Sequence, residues 1–153
     1  MHDYRRILAL VDFTHAGTSV ARRALGLASL EGARLAFLHL IPPDPALDGG
    51  YPGPGRQTEA REFEQAALRR LDFLRGTLGA GEVELLARYG QAHRGFADGI
   101  RHWQPDLVVA EYDTGYLGGR HDLLTLGHRP ARNGLARMLR HWLVPAGLLG
   151  NTG

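Results

Sequence analysis

The chain reads as an α/β protein. It is expected to be one domain over residues 1–153, with a five-stranded parallel open sheet of order 3-2-1-4-5 and helices on both faces. Three observations predict this. Apolar runs and amphipathic helical stretches alternate along the whole chain, as successive βαβ units require. The first run, Arg5-Arg6-Ile7-Leu8-Ala9-Leu10-Val11, ends in Asp12 and passes straight into a helix. The fourth, Asp106-Leu107-Val108-Val109-Ala110, ends in Glu111 and opens into a long irregular stretch. In this order the winding reverses between strands 1 and 4. Asp12 and Glu111 would then flank the crevice at which open α/β sheets bind ligands.

Each element has its own signal. Thr14 is placed to cap the first helix, whose Val20, Ala21, Ala24, Leu25 and Ala28 trace one face up to Gly32, a natural C′ residue. Arg34 to Ile41 is a second apolar strand, stopped by Pro42 and Pro43. The Gly- and Pro-rich stretch to Gly55 that follows is a surface loop. A long helix from about Gln57 to Thr77 carries Phe63, Ala67, Leu71 and Leu74 on one stripe. Glu82 to Tyr89 is the third strand, Gly90 turns the chain, and Ala92 to Trp103 is the third helix. Gln104-Pro105 ends it before strand 4. A loop from Glu111 to Arg132, a short helix Asn133 to His141 and a last strand Val144 to Leu149 complete the expectation.

Composition excludes several chemistries. All 18 basic residues are arginine, which removes a lysine nucleophile, a Schiff base and a P-loop lysine. There is no cysteine, so disulfides, zinc-thiolate sites and thiol catalysis are out. A net charge of +2 does not describe a nucleic-acid-binding protein. No acid follows Asp122, while Arg129, Arg132, Arg137 and Arg140 do, so a solvated basic face or a site for a small anion lies there. Met1-His2-Asp3-Tyr4 predicts no signal peptide and no run is long enough to span a membrane, which points to the cytoplasm and to no membrane partner.

Five short motifs in order resemble the universal stress protein family over most of the chain. They are Leu10-Val11-Asp12-Phe13-Thr14, Leu38-His39-Leu40, Gly90, Asp106-Leu107-Val108-Val109, and Leu139-Arg140 followed by Val144-Pro145. The resemblance implies a cytoplasmic stress-response domain that acts by binding and association, without turnover. It also implies a homodimer joined through the last strand, and leaves a further protein partner open.

Many members bind ATP through a Gly-x2-Gly-x9-Gly-(Ser/Thr) signature after strand 4, in which bare amides and a helix N-terminus approach the phosphates. The resemblance therefore implies ATP or another adenine nucleotide as the cofactor. Carried over residue by residue, the binding positions are Val11, Asp12, Leu40, Ala110, Glu111, Thr114, Arg132 and Asn133. Here the chain departs from the pattern. Glu111 and Thr114 stand where the first two glycines belong, and Arg132-Asn133 where Gly-Ser belongs. A carboxylate at Glu111 repels a phosphate. Arg120, Arg129 and Arg132 could replace backbone contacts by side-chain ones, and Asn133 could cap the last helix. Two alternatives stay open: an ATP-binding member, including a slow hydrolase, and an enzyme of a related nucleotide-binding α/β family.

Other residues carry less. Asp12 either meets the adenine end of a ligand or caps the following helix. His39, inside an apolar strand, reads as a hydrogen-bonded structural histidine. His15-Ala16-Gly17-Thr18 only partly matches the His-x-Gly-His element of nucleotidyltransferases. His93 and His102, like His121 and His128, lack metal-ligand spacing, so no metal is assigned. Ser19 and Ser29 are the only serines and neither sits in a nucleophile elbow, so no catalytic residue is assigned. Trp103 and Trp142 are expected to pack against neighbouring elements.

Overall fold

A computed structural model describes residues 3–43, 55–113 and 121–127. Its elements in chain order are β1 (Arg6–Leu10), α1 (His15–Glu31), β2 (Arg34–Ile41), α2 (Gly55–Thr77), β3 (Val83–Tyr89), α3 (Ala92–Trp103), β4 (Leu107–Ala110) and β5 (Asp122–Thr125). The strands form one sheet in the order β3-β2-β1-β4-β5, and every neighbouring pair is parallel. In the central registers Ile7 stands beside Leu35 on one side and Leu107 on the other. Strands 1 and 4 are therefore adjacent, as the crevice argument requires.

The pleat sorts the apolar residues. Ile7, Ala9 and Val11 of the first strand segment, with Leu35 and Phe37 of β2, face α1 and α2, where Val20, Ala24 and Leu71 meet them. Leu8, Ala36 and Leu38 point the other way, against Phe96 and Trp103 of α3. Both faces of the central strands are thus covered, which explains their unbroken apolar runs. The α1 cap is as expected: Thr14 Oγ1 accepts from the Gly17 N–H at 3.2 Å, and Gly32 ends the helix at φ 66°.

Helix α3 lies close to the sheet because two glycines let it. A Cβ at Gly99 would stand 2.6 Å from Leu38 Cδ2, and one at Gly95 2.9 Å from Leu40 Cδ2. The far edge is locked by side chains. Asp106 accepts from the N–H groups of Arg5 (2.8 Å) and Arg6 (3.0 Å), and Trp103 Nε1 donates to the Ile7 carbonyl at 3.0 Å. Trp103 is buried, so the packing role expected for it holds.

The stretch read from sequence as a loop, Glu111 to Arg132, needs a correction. Asp122–Thr125 is a strand there, paired with β4 from Leu107↔Asp122 to Ala110↔Thr125, and it takes the fifth place in the sheet. The reason is simple: Leu123 and Leu124 put one side chain on each face of an edge strand, and that suffices once β4 offers a template. Residues 133–141 and 144–149, expected as the last helix and strand, lie outside the described residues, and so does the dimer edge expected there. Trp142 lies outside them as well.

Candidate functional site

The carboxyl edge of the sheet is where the chain concentrates polar groups next to apolar walls. Asp12 follows β1 directly and is exposed. Its Oδ1 accepts from the Thr14 N–H at 3.0 Å and from the Thr14 hydroxyl, which in turn caps α1. Asp12 is therefore not itself the cap of α1, which is Thr14; one oxygen of its carboxylate holds the capping residue in place. Gly17 makes this possible, because a Cβ there would stand 2.0 Å from the Asp12 carbonyl oxygen.

Val11, buried at the strand end, donates its N–H to the Leu38 carbonyl at 2.9 Å. Its own carbonyl accepts from His39 Nδ1 at 2.8 Å, which makes that ring nitrogen the protonated one. Burial pushes the His39 pKa down; the Val11 carbonyl and the Asp12 charge oppose this, and Arg70 adds to it. His39 is the structural histidine that its strand position suggested. Phe13 lies on it with ring centroids 4.2 Å apart, and the Arg70 guanidinium of α2 lies 3.9 Å from the Phe13 ring centre. The result is a stack, Arg70 on Phe13 on His39, anchored to β1.

Across the crevice, β4 supplies Ala110 and Glu111. Ala110 is buried and its carbonyl accepts from Leu126 at 3.1 Å. Glu111 is half-buried, next to Tyr112. The Tyr112 hydroxyl is pushed up to about 12, chiefly by burial, then by Glu111, with a smaller push from Asp12. Asp12, Glu111 and Tyr112 thus share one electrostatic neighbourhood.

The structure brings Val11, Asp12, Ala110 and Glu111 to this edge, but not the Leu40 side chain. Leu40 sits one residue past His39, so the pleat sends it to the α3 face beside Gly95. Thr114, Arg132 and Asn133 lie outside the described residues. Phe13, Arg70 and Tyr112 were not anticipated. Tyr112 adjoins Glu111 and Phe13 adjoins Asp12 in sequence, so proximity was a usable signal for both. Nothing local marks Arg70, a mid-helix arginine among several.

A hollow of about 670 Å³ lies at the opposite, amino-terminal edge of the strands, lined in part by Arg34, Arg75, Glu82, Glu84 and Trp103. Arg75 there donates to the Val83 carbonyl at 3.0 Å and pairs with Asp72. Arg34 lies over the Trp103 ring at 5.3 Å. Its charges of both signs define no ligand chemistry, and the crevice at Asp12 is the better candidate. Among the described residues no cluster of His, Asp or Glu could hold a metal ion, and no helix is long and apolar enough to cross a membrane.

With this geometry in view, comparison with known proteins is decisive for the family. The model of the universal stress protein family matches residues 3–111. The chain belongs to that family. No curated protein matches it in sequence. Among solved structures, UspA from Lactobacillus plantarum is 21% identical with a TM-score of 0.54, over 82% of this chain and 99% of that one. A universal stress protein crystallised in complex with cAMP is 14% identical with a TM-score of 0.53, over 81% and 97%. At such identities the likeness shows the fold. The family match stops at Glu111, the position at which the family's phosphate signature would begin.

Proposed function

We propose that this universal stress protein domain is a cytoplasmic stress-response protein that binds an adenine nucleotide in the Asp12–Glu111 crevice, and acts through the bound state without turnover. One observation carries the reading. The parallel β1–β4 pair ends in Asp12 and Glu111 at the reversal of winding, beside an apolar wall of Phe13 and Val11. The cAMP complex of a protein with this fold supports the same class of ligand. Tight triphosphate binding of the glycine-loop kind fits the residues poorly. Glu111 brings a carboxylate where bare amides would be needed, and Asp12 adds a second within Coulombic reach of Tyr112.

The test is thermal unfolding with adenosine, AMP, cAMP, ADP and ATP, the last two with magnesium, alongside an assay for phosphate release. A ligand at ~100 times its Kd adds about 2.7 kcal/mol of stability. A rise in Tm with AMP or cAMP and no phosphate release from ATP is expected. No shift with any of the five would refute the reading. Release of phosphate at ordinary enzyme rates would favour a hydrolase instead.

A further inference from the structure

The charges at the crevice are separated by side. Asp12 and Glu111 stand where β1 meets β4, and both act on Tyr112. The positive charge stands on the other side, over β1 and β2, where Arg70 of α2 acts on His39. Arg70 is held there by geometry. Its guanidinium carbon is 3.9 Å from the centre of the Phe13 ring, that ring rests on His39 at 4.2 Å, and His39 is tied to Val11 at 2.8 Å. Arg70 is exposed, and a guanidinium over a ring still has its N–H donors to offer. Among the described residues, none of the salt bridges involves Arg70. It is an exposed cation held beside Phe13, the residue that follows Asp12.

We infer that Arg70 is the residue that reads the anionic group of the ligand, so that the crevice takes a purine nucleoside monophosphate in preference to the uncharged nucleoside. This rests on the nucleotide reading above and deepens it. The ligand's phosphate lies toward α2, and its base and ribose lie toward Asp12 and Glu111, whose carboxylates accept from amino and hydroxyl groups but repel phosphate. The opposite orientation would put phosphate against two carboxylates. Arg–phosphate pairs are short, charge-assisted and often bidentate, which favours a planar fork over a point charge.

Isothermal titration of wild type, Arg70→Gln and Arg70→Lys with adenosine and with AMP, at fixed low salt, tests the assignment. Wild type is expected to bind AMP about tenfold or more tighter than adenosine, the value of one charge-assisted contact. Arg70→Gln should bind both alike, with its adenosine affinity unchanged, which also shows that the crevice is intact. Arg70→Lys should recover part of the preference. Equal binding of both ligands by wild type, or a preference retained in Arg70→Gln, overturns the role of Arg70 and leaves the nucleotide site standing. Binding of neither ligand by wild type removes the nucleotide reading and this inference with it.

Discussion

Two glycines of one helix should respond to the same substitution with opposite signs. Gly17 and Gly26 both lie in α1, and both lack positive φ. A Cβ at Gly26 meets nothing within 4 Å, so Gly26→Ala gains only the helix preference of alanine, about 1 kcal/mol. A Cβ at Gly17 meets Asp12 O at 2.0 Å, Asp12 Oδ1 at 2.3 Å and Asp12 C at 2.7 Å. Two of these atoms are backbone, so the first turn of α1 must lift off the end of β1. Overpacking of that kind costs about 1–3 kcal/mol, and the lost Thr14–Asp12 contacts add roughly another 1 kcal/mol. Against alanine's helix gain, Gly17→Ala should come out about 2 kcal/mol less stable than wild type, and about 3 kcal/mol less stable than Gly26→Ala. For a domain of this length that separates their Tm values by roughly 6–12 °C. Urea denaturation with m-values compared gives the free energies directly. Equal stability of the two variants would refute the close approach of α1 to Asp12, and with it the placement of that carboxylate at the crevice.

Two further outcomes follow from the same geometry. His39 has its pKa lowered in the fold, so the unfolded chain binds more protons between that value and about 6.5. Its contribution is therefore complete above about pH 6.5 and shrinks as pH falls through the folded value. His39→Asn keeps a donor for the Val11 carbonyl but cannot titrate. The urea midpoint of wild type should drop more between pH 7.5 and 5.5 than that of His39→Asn, while the His121 share of the slope, also from a lowered pKa, stays in both. Parallel profiles would show that His39 titrates as it does in the unfolded chain. Trp103→Phe removes the donor to the Ile7 carbonyl and puts a smaller ring in place of the indole beneath Arg6, whose guanidinium lies 4.1 Å from the indole ring centre. A loss of about 1–3 kcal/mol in urea is expected, and a neutral variant would refute this anchoring of α3 to β1.

How much was legible follows from the length scale of each signal. Strands 1 to 4 and the three helices are long enough for periodicity to show, and their order alone put Asp12 and Glu111 at one crevice. The same alternation gives the direction of the Leu40 side chain: once His39 faces Phe13, its neighbour must face α3. β5 was hidden because four residues with two adjacent leucines carry no period, and because the apolar run at Val144–Leu149 competed for the fifth place. Arg70 was hidden for a different reason. Its contact with Phe13 joins two elements far apart in sequence, and an arginine over a ring leaves no trace in local composition. Gly95 and Gly99, spaced to clear one face of α3, were readable in principle as a small face, since only a tight helix–sheet approach gives them a purpose.

The point at which the family match ends has a structural counterpart. Through Glu111 the chain keeps the adjacent parallel strands, the capped α1 and the Asp12 turn. After it, only residues 111–121 join β4 to β5, the lower end of what a parallel crossover takes. The relatives' way of holding phosphate combines a glycine loop and a helix N-terminus directly after β4, and both need length and bare backbone at that place. Here the same place is taken by Glu111, a carboxylate, and by Tyr112, whose raised pKa keeps the phenol neutral. On the proposed nucleotide reading, the Glu111 carboxylate at the β4 lip turns a ligand's phosphate away, toward the Arg70 guanidinium over Phe13.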